Sequence, residues 1–146
     1  MKNLFKEKTK YNDVIVAEEN GIRYLLFGNG ASREQSAIKI NAPNEIIFDY
    51  AAESMKVFNL VKSPSRVLVV GLGAGIIPRA IANLNEDVFI DIIEIDPLIY
   101  DISQNFFGFK TSSNMKIIIG DAYGVMPYIK DTYDIIFMDA YNGSYI

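Results

Sequence analysis

The chain contains no cysteine and no histidine. Their absence excludes disulfides, thiolate nucleophiles, ordinary zinc sites and an imidazole base, and no metal site is expected. Any proton transfer falls to a carboxylate, a tyrosine or a lysine. Tryptophan is also missing, and no basic cluster or tail relieves a net charge of −4. Nucleic acid and anionic membranes are therefore not expected as partners. Long hydrophobic runs are lacking too: the longest, Val67 to Ile77, is interrupted by glycines and too short to cross a bilayer. The opening "MKNLFKEKTKYND" has no apolar core of the kind a secretion signal needs. A cytoplasmic protein is the expectation.

What is present is a globular composition, half apolar and 12% aromatic over 146 residues, enough for one domain with a real core. Residues 11–40 predict a small β-meander. "DVIVAEE" and "IRYLLFG" flank Asn20-Gly21, a strong two-residue hairpin signal. Gly28-Asn29-Gly30 marks a second turn, before a third strand in "SREQSAIKI". Residues 44–61 predict a helix capped by Asn44, with Ile47, Ala51, Met55 and Phe58 on one stripe.

From Ser65 onward the rhythm changes. Four apolar runs, "RVLVVG", "VFIDIIEID", "MKIIIGD" and "YDIIFMDA", alternate with the helix-like "GIIPRAIANLN", "PLIYDISQNFF" and "AYGVMPYIK". Such alternation predicts an α/β fold with a parallel sheet covered on its faces. Pro97 starts the second helix, Gly108 stops it, and Pro127 confines the third to a short piece. The expected organisation is a β-hairpin region, residues 1–43, attached to a nucleotide-binding α/β region, residues 44–146.

Each apolar run ends in polar or bare residues. The first ends in Gly71, Gly73 and Gly75, the second in Glu94 and Asp96, the third in Asp121, the fourth in Asp139. In an open parallel sheet, ligands bind outside the carboxyl ends of the strands, at the switch point. A strand order of 3-2-1-4 would gather all of these in one crevice.

The glycines stand at i, i+2 and i+4, with Ile76 at i+5, where the dinucleotide fingerprint wants its third glycine. The spacing fits a nucleoside-binding loop of the methyltransferase type, whose missing Cβ atoms admit a ligand to the backbone. A plain strand-to-helix turn gives the same pattern. Glu94, 19 residues beyond Gly75, is placed to accept from ribose hydroxyls, or is an exposed strand-end charge. Asp96 precedes Pro97 and reads as a helix N-cap. Asp121 is placed to accept from an adenine amino group, with Ala122 beside it, or to cap a helix. Asp139 is the candidate for chemistry, with an Asx-turn as the plain alternative.

Taken in order, these segments resemble the spermidine synthase family of the class I methyltransferase-like fold. "YND" at 11–13 resembles that family's Y-Q-D, and "FDYAAES" at 48–54 its F-x-Y-[HQ]-E-M helix. "VLVVGLGAG" resembles V-L-I-I-G-G-G-D-G, "IIEIDP" resembles V-E-I-D, and "IIIGDAY" resembles G-D-G/A. "YDIIFMDAYNG" resembles Y-D-V-I-I-x-D-x-x-D-P. The resemblance implies a transferase using decarboxylated S-adenosylmethionine and an amine acceptor. By position, Glu94 would hold the ribose and Asp121 the adenine, while Asp139 and Tyr50 would handle the proton of the attacking amine. A pocket of acids also suits a sulfonium cation.

Four departures bear on specificity. The family's acid inside the glycine loop is Ala74 here, which leaves room for the carboxylate of ordinary S-adenosylmethionine and so for methyl transfer. The second aspartate of D-x-x-D is Asn142, so one charge for gripping a polyamine is gone. Asn12 replaces a glutamine and Ala51 a histidine or glutamine. Among nine tyrosines, Tyr50, Tyr123 and Tyr141 fall near the expected site.

Folds of this kind continue with three more strands beyond the fourth. The chain is therefore expected to be the first half of such a fold, or a piece of a longer protein. An exposed edge on the fourth strand invites a homodimer or another covering partner. Two other functions compete: a non-catalytic nucleotide-binding or assembly module, and, less well supported, an NAD-dependent oxidoreductase.

Overall fold

The computed structural model describes residues 1–28 and 33–140. Four N-terminal strands, β1 (Lys2–Lys8), β2 (Asp13–Glu19), β3 (Ile22–Phe27) and β4 (Arg33–Lys39), form an antiparallel sheet in sequence order. At the β2–β3 turn Asn20 has φ 51° and Gly21 has φ 78°. Both central residues are left-handed, as a tight hairpin that follows strand twist requires. The second turn, around Gly28-Asn29-Gly30, lies mostly outside the described residues. Strand β1 was not expected from the sequence. Its lysine-rich "KNLFKEK" conceals apolar alternation, and such charge is what an edge strand carries to resist stray pairing.

The helix expected over 44–61 is shorter. It runs as α1 over Asp49–Ser54 and tightens into a 3-10 turn over Met55–Asn59. Asn44 is not its cap: Phe48 occupies that position in an extended conformation, with no side-chain cap bond. The Ser54 hydroxyl donates back to the Ala51 carbonyl at 2.8 Å, a bond that competes with regular helix. The apolar stripe survives the change of geometry. Ala51 is buried, and Met55 and Phe58 pack against the core.

Strands β5 (Arg66–Val70), β6 (Phe89–Glu94), β7 (Met115–Ile119) and β8 (Ile135–Met138) form the parallel sheet, in the order β7-β6-β5-β8. This is the expected 3-2-1-4 arrangement. Between them run α2 (Ile76–Leu84), α3 (Pro97–Phe107) and the short α4 (Ala122–Val125), which ends in a 3-10 turn containing Pro127. Right-handed crossovers dictate the layers. The first two crossovers step in one direction and place α2 and α3 on one face. The third returns past β5 and β6, so α4 falls on the other.

Strand alternation sorts the side chains accordingly. Val67, Val69, Ile90, Ile92, Ile135 and Phe137 join Ile77 and Ile81 of α2 and Ile99 and Ile102 of α3 in one core. Val14, Val16, Leu25 and Ile38 of the antiparallel sheet belong to the same cluster. The opposite face buries Leu68, Val70 and Ile93 beneath the partly buried Ala122, Val125, Ile129 and Tyr133. Asp91, a buried acid on that strand, accepts from the Tyr133 hydroxyl at 2.9 Å. Beyond this cover Ile136 and Met138 are 48% and 67% exposed, and β8 is an edge among the described strands. No helix of the described residues is long and apolar enough to cross a membrane.

Candidate functional site

Parallel pairing brings every strand tip to one edge, and backbone hydrogen bonds stitch the tips together. The Asp139 N–H donates to Val70 at 2.8 Å, Gly71 to Ile93 at 2.8 Å, and Gly120 to Glu94 at 2.9 Å. The Gly71 turn, Glu94, Asp121 and Asp139 therefore lie along one rim, with the reversal of strand order falling between β5 and β8.

All three glycines have positive φ: 100° at Gly71, 54° at Gly73 and 76° at Gly75. Yet the space each missing Cβ would occupy is taken by the protein itself. A Cβ on Gly71 would stand 2.5 Å from the Asp139 carbonyl oxygen, and one on Gly73 would stand 2.6 Å from Ser36 Oγ. One on Gly75 would run into the Phe109 ring. These glycines let β8, β4 and the segment after α3 close on the loop. They also leave the turn ahead of α2 with the backbone conformation it needs.

Glu94 is 7% exposed. Its Oε2 accepts from Leu72 N–H and its Oε1 from Asp96 N–H, both at 2.9 Å. Burial pushes its pKa above the usual carboxylate range, and those two N–H groups partly offset the rise. Asp96 is the N-cap of α3, as its place before Pro97 predicts. Its Oδ1 accepts from Leu98 N–H at 3.0 Å, and its Oδ2 from the Thr9 hydroxyl at 2.6 Å. Thr9 Oγ1 also accepts from the N–H groups of Tyr11 and Asn12, so the "YND" segment is anchored at the tip of β6.

Asp121 is exposed and caps α4, its Oδ1 accepting from Tyr123 N–H at 3.0 Å. Ala122 is half-buried against the smaller core. Ala74 is fully buried in the main core. Tyr123 is 91% exposed, while Tyr141 and Asn142 lie outside the described residues.

Asp139 and Tyr50 are brought together. Both line a cavity of about 290 Å³ between α1, the 3-10 turn after it, Ile77 and β8. Solvent reaches Asp139, but the apolar walls push its pKa up to about 6. Burial, and then the charge of Asp139, raises the Tyr50 hydroxyl to about 12. The Tyr50 hydroxyl donates to the Gln35 carbonyl at 3.3 Å. The sequence offered no sign of three participants found here: Ser36 and Thr9, which hold the glycine loop and the α3 cap, and Phe109, which packs on Gly75. Each acts across a long sequence separation and carries no motif.

Residues 44–144 match the spermine/spermidine synthase domain family. The chain is 32% identical over 98% of its length to a polyamine aminopropyltransferase of Vibrio vulnificus (strain CMCP6), covering 50% of that protein. It is 26% identical over 95% of its length to spermidine synthase 1 of Datura stramonium, covering 44% of it. The chain thus spans about half the length of the curated relatives it matches. Among solved structures, a probable spermidine synthase from Corynebacterium glutamicum ATCC 13032 superposes with a TM-score of 0.76 at 18% identity, over 96% of this chain and 53% of that one. Human methyltransferase-like protein 13, in complex with SAH, superposes with a TM-score of 0.57 at 26% identity, over 62% of this chain and 46% of that one.

Proposed function

The chain belongs to the spermine/spermidine synthase family, and from that membership we propose that it binds an S-adenosylmethionine-type sulfonium donor along the tips of β5, β6 and β7. The donor's aminopropyl group would pass to an amine held at Asp139. The observation that carries this is the pairing of Asp139 and Tyr50 on one cavity beside the Gly71 turn.

Glu94 spends one acceptor site of each oxygen on the main chain, and a carboxylate has further lone pairs for ribose hydroxyls. Asp121 keeps its Oδ2 for an adenine amino group while its Oδ1 caps α4. Ala122 would lie against the same nucleoside. An amine attacks only when unprotonated. Asp139, with a pKa of about 6, is ionised at neutral pH and able to take its proton. The amine nitrogen forms a bond to the carbon next to sulfur. The carbon–sulfur bond breaks, its electron pair stays on sulfur, and a neutral thioether leaves. Loss of the sulfonium charge weakens the donor's attraction to the acidic rim, which favours product release. Tyr50, whose hydroxyl stays protonated at neutral pH, orients the amine.

Methyl transfer is the second reading, favoured by the likeness to a methyltransferase-like protein. Calorimetry with decarboxylated S-adenosylmethionine, the ordinary donor, methylthioadenosine and NAD separates the alternatives. Tighter binding of the decarboxylated donor is expected, with no binding of NAD. Preference for the ordinary donor would shift the assignment to methyl transfer. Binding without turnover of any amine would leave a nucleotide-binding module. The proposal extends to assembly: a second copy of this chain covers the β8 edge left open among the described residues, so light scattering at micromolar concentration should give a dimer mass, and a clean monomer would count against it.

A further inference from the structure

Strand β4 does not pair regularly with β3. Leu25 faces Ser36 and Leu26 faces Glu34, so Gln35 is an extra residue in the ladder. Such a bulge bends the strand and re-aims the side chains beside it. Ser36, next to the bulge, is 7% exposed and reaches the glycine loop. Its Oγ accepts from Ala74 N–H at 3.2 Å. The same oxygen fills the space that a Cβ on Gly73 would need, at 2.6 Å. Gly73 and Ser36 are thus matched: the hydroxyl fits where Gly73 has no Cβ, and the φ of 54° at Gly73 also asks for glycine. Ala74 N–H lies just ahead of Gly75, the residue that opens α2, so fixing it fixes the approach to that helix. The bulge also touches the other half of the site, since the Gln35 carbonyl accepts the long bond from the Tyr50 hydroxyl at 3.3 Å.

We propose that the β4 bulge is a positioning element: it turns the Ser36 hydroxyl into the 72–75 loop, pins the loop backbone by accepting from Ala74 N–H, and registers that loop against Tyr50. The inference rests on the donor site proposed above. Ser36 acts through the loop rather than on the reacting atoms. Its removal therefore weakens nucleoside binding and loosens the loop, while the fold persists through the shared core of β2, β3, β4 and the parallel sheet.

The test uses the 146-residue chain, with methylthioadenosine as the probe. Ser36→Ala is expected to weaken its calorimetric Kd about fivefold, the scale of one neutral hydrogen bond. The Ala74 amide should exchange with solvent several-fold faster, and the melting temperature should fall by only about a few degrees, the scale of one buried donor left without its acceptor. Ser36→Thr keeps the hydroxyl and should restore both readings. Should the alanine variant lose stability, the threonine variant carries the test: folded and binding like wild type is expected, and folded with binding lost overturns the inference. Gly73→Ala gives an independent check. Its loss of binding should be partly recovered in Ser36→Ala/Gly73→Ala, where the opposing oxygen is gone, and no recovery contradicts the match between the two residues. Wild-type protein that binds while Ser36→Ala binds equally well overturns this inference alone. Wild-type protein that fails to bind methylthioadenosine overturns the donor site and the inference with it.

Discussion

Glu94 and Asp139 are both carboxylates at strand tips on one rim, and burial raises the pKa of both. Their surroundings otherwise differ. Glu94 is almost closed off and gripped by two main-chain N–H groups, one from the glycine loop and one from the start of α3. Asp139 is open to solvent, leans on an apolar wall, and accepts no side-chain hydrogen bond from the described residues. A carboxylate gripped by the backbone keeps its direction, which suits holding a sugar in a fixed pose. One that is only partly desolvated and lightly held exchanges protons near neutral pH, which suits a base. In the proposed function, this difference in support separates a binding end from a chemical end.

Substitutions at the two acids should have opposite effects. Asp139→Asn is expected to lower turnover by about a hundredfold or more, the usual scale for a lost general base, with methylthioadenosine affinity nearly unchanged. Steady-state kinetics beside calorimetry reads both; turnover that survives would remove Asp139 from the chemistry. Glu94→Ala leaves the Leu72 and Asp96 N–H groups buried without their acceptor. It should cost roughly 2 kcal/mol or more of stability in a denaturant titration, and abolish nucleoside binding. An equally stable variant would show that the grip is dispensable.

The pH dependence sharpens the contrast. The Asp139 value of about 6 lies above the ordinary 3.8 of an aspartate, so the folded state holds this proton more tightly than the unfolded chain does. Its contribution to stability is therefore greatest at low pH and fades as pH rises through about 6. Activity should run the other way, increasing through about pH 6 as the base form appears. A pH–rate profile that is flat there, or falls, contradicts the assignment. The smallest effect expected is at Tyr50→Phe, which keeps the ring and loses one long hydrogen bond: a drop of about fivefold or less in kcat/KM.

Which features were legible from sequence follows from how local their causes are. The start of α3 at Asp96-Pro97, its stop at Gly108 and the Asn20-Gly21 turn each depend on two or three adjacent residues. The order of the parallel strands was readable because apolar runs alternate with helices, and right-handed crossovers leave few arrangements. The length of α1 was not. Ile47 continues its stripe, but the chain is extended at Phe48, and only the three-dimensional structure reveals this. The glycine loop was legible as a motif, whereas its tight neighbours were hidden. Gly71 against Asp139 and Gly73 against Ser36 are contacts between distant segments, and nothing local announces either pairing. The same holds for the bulge at Gln35, which shows only once β3 and β4 are paired.

On the proposed function, one rim, from the Gly71 turn to Asp121, holds an adenosine-bearing molecule. Adding methylthioadenosine to isotope-labelled protein and following backbone amide resonances tests it most directly. The largest shifts are expected on Leu72 to Gly75, on Glu94 to Asp96, and on Gly120 to Tyr123. Shifts confined to the N-terminal sheet, or none at saturating ligand, would contradict it.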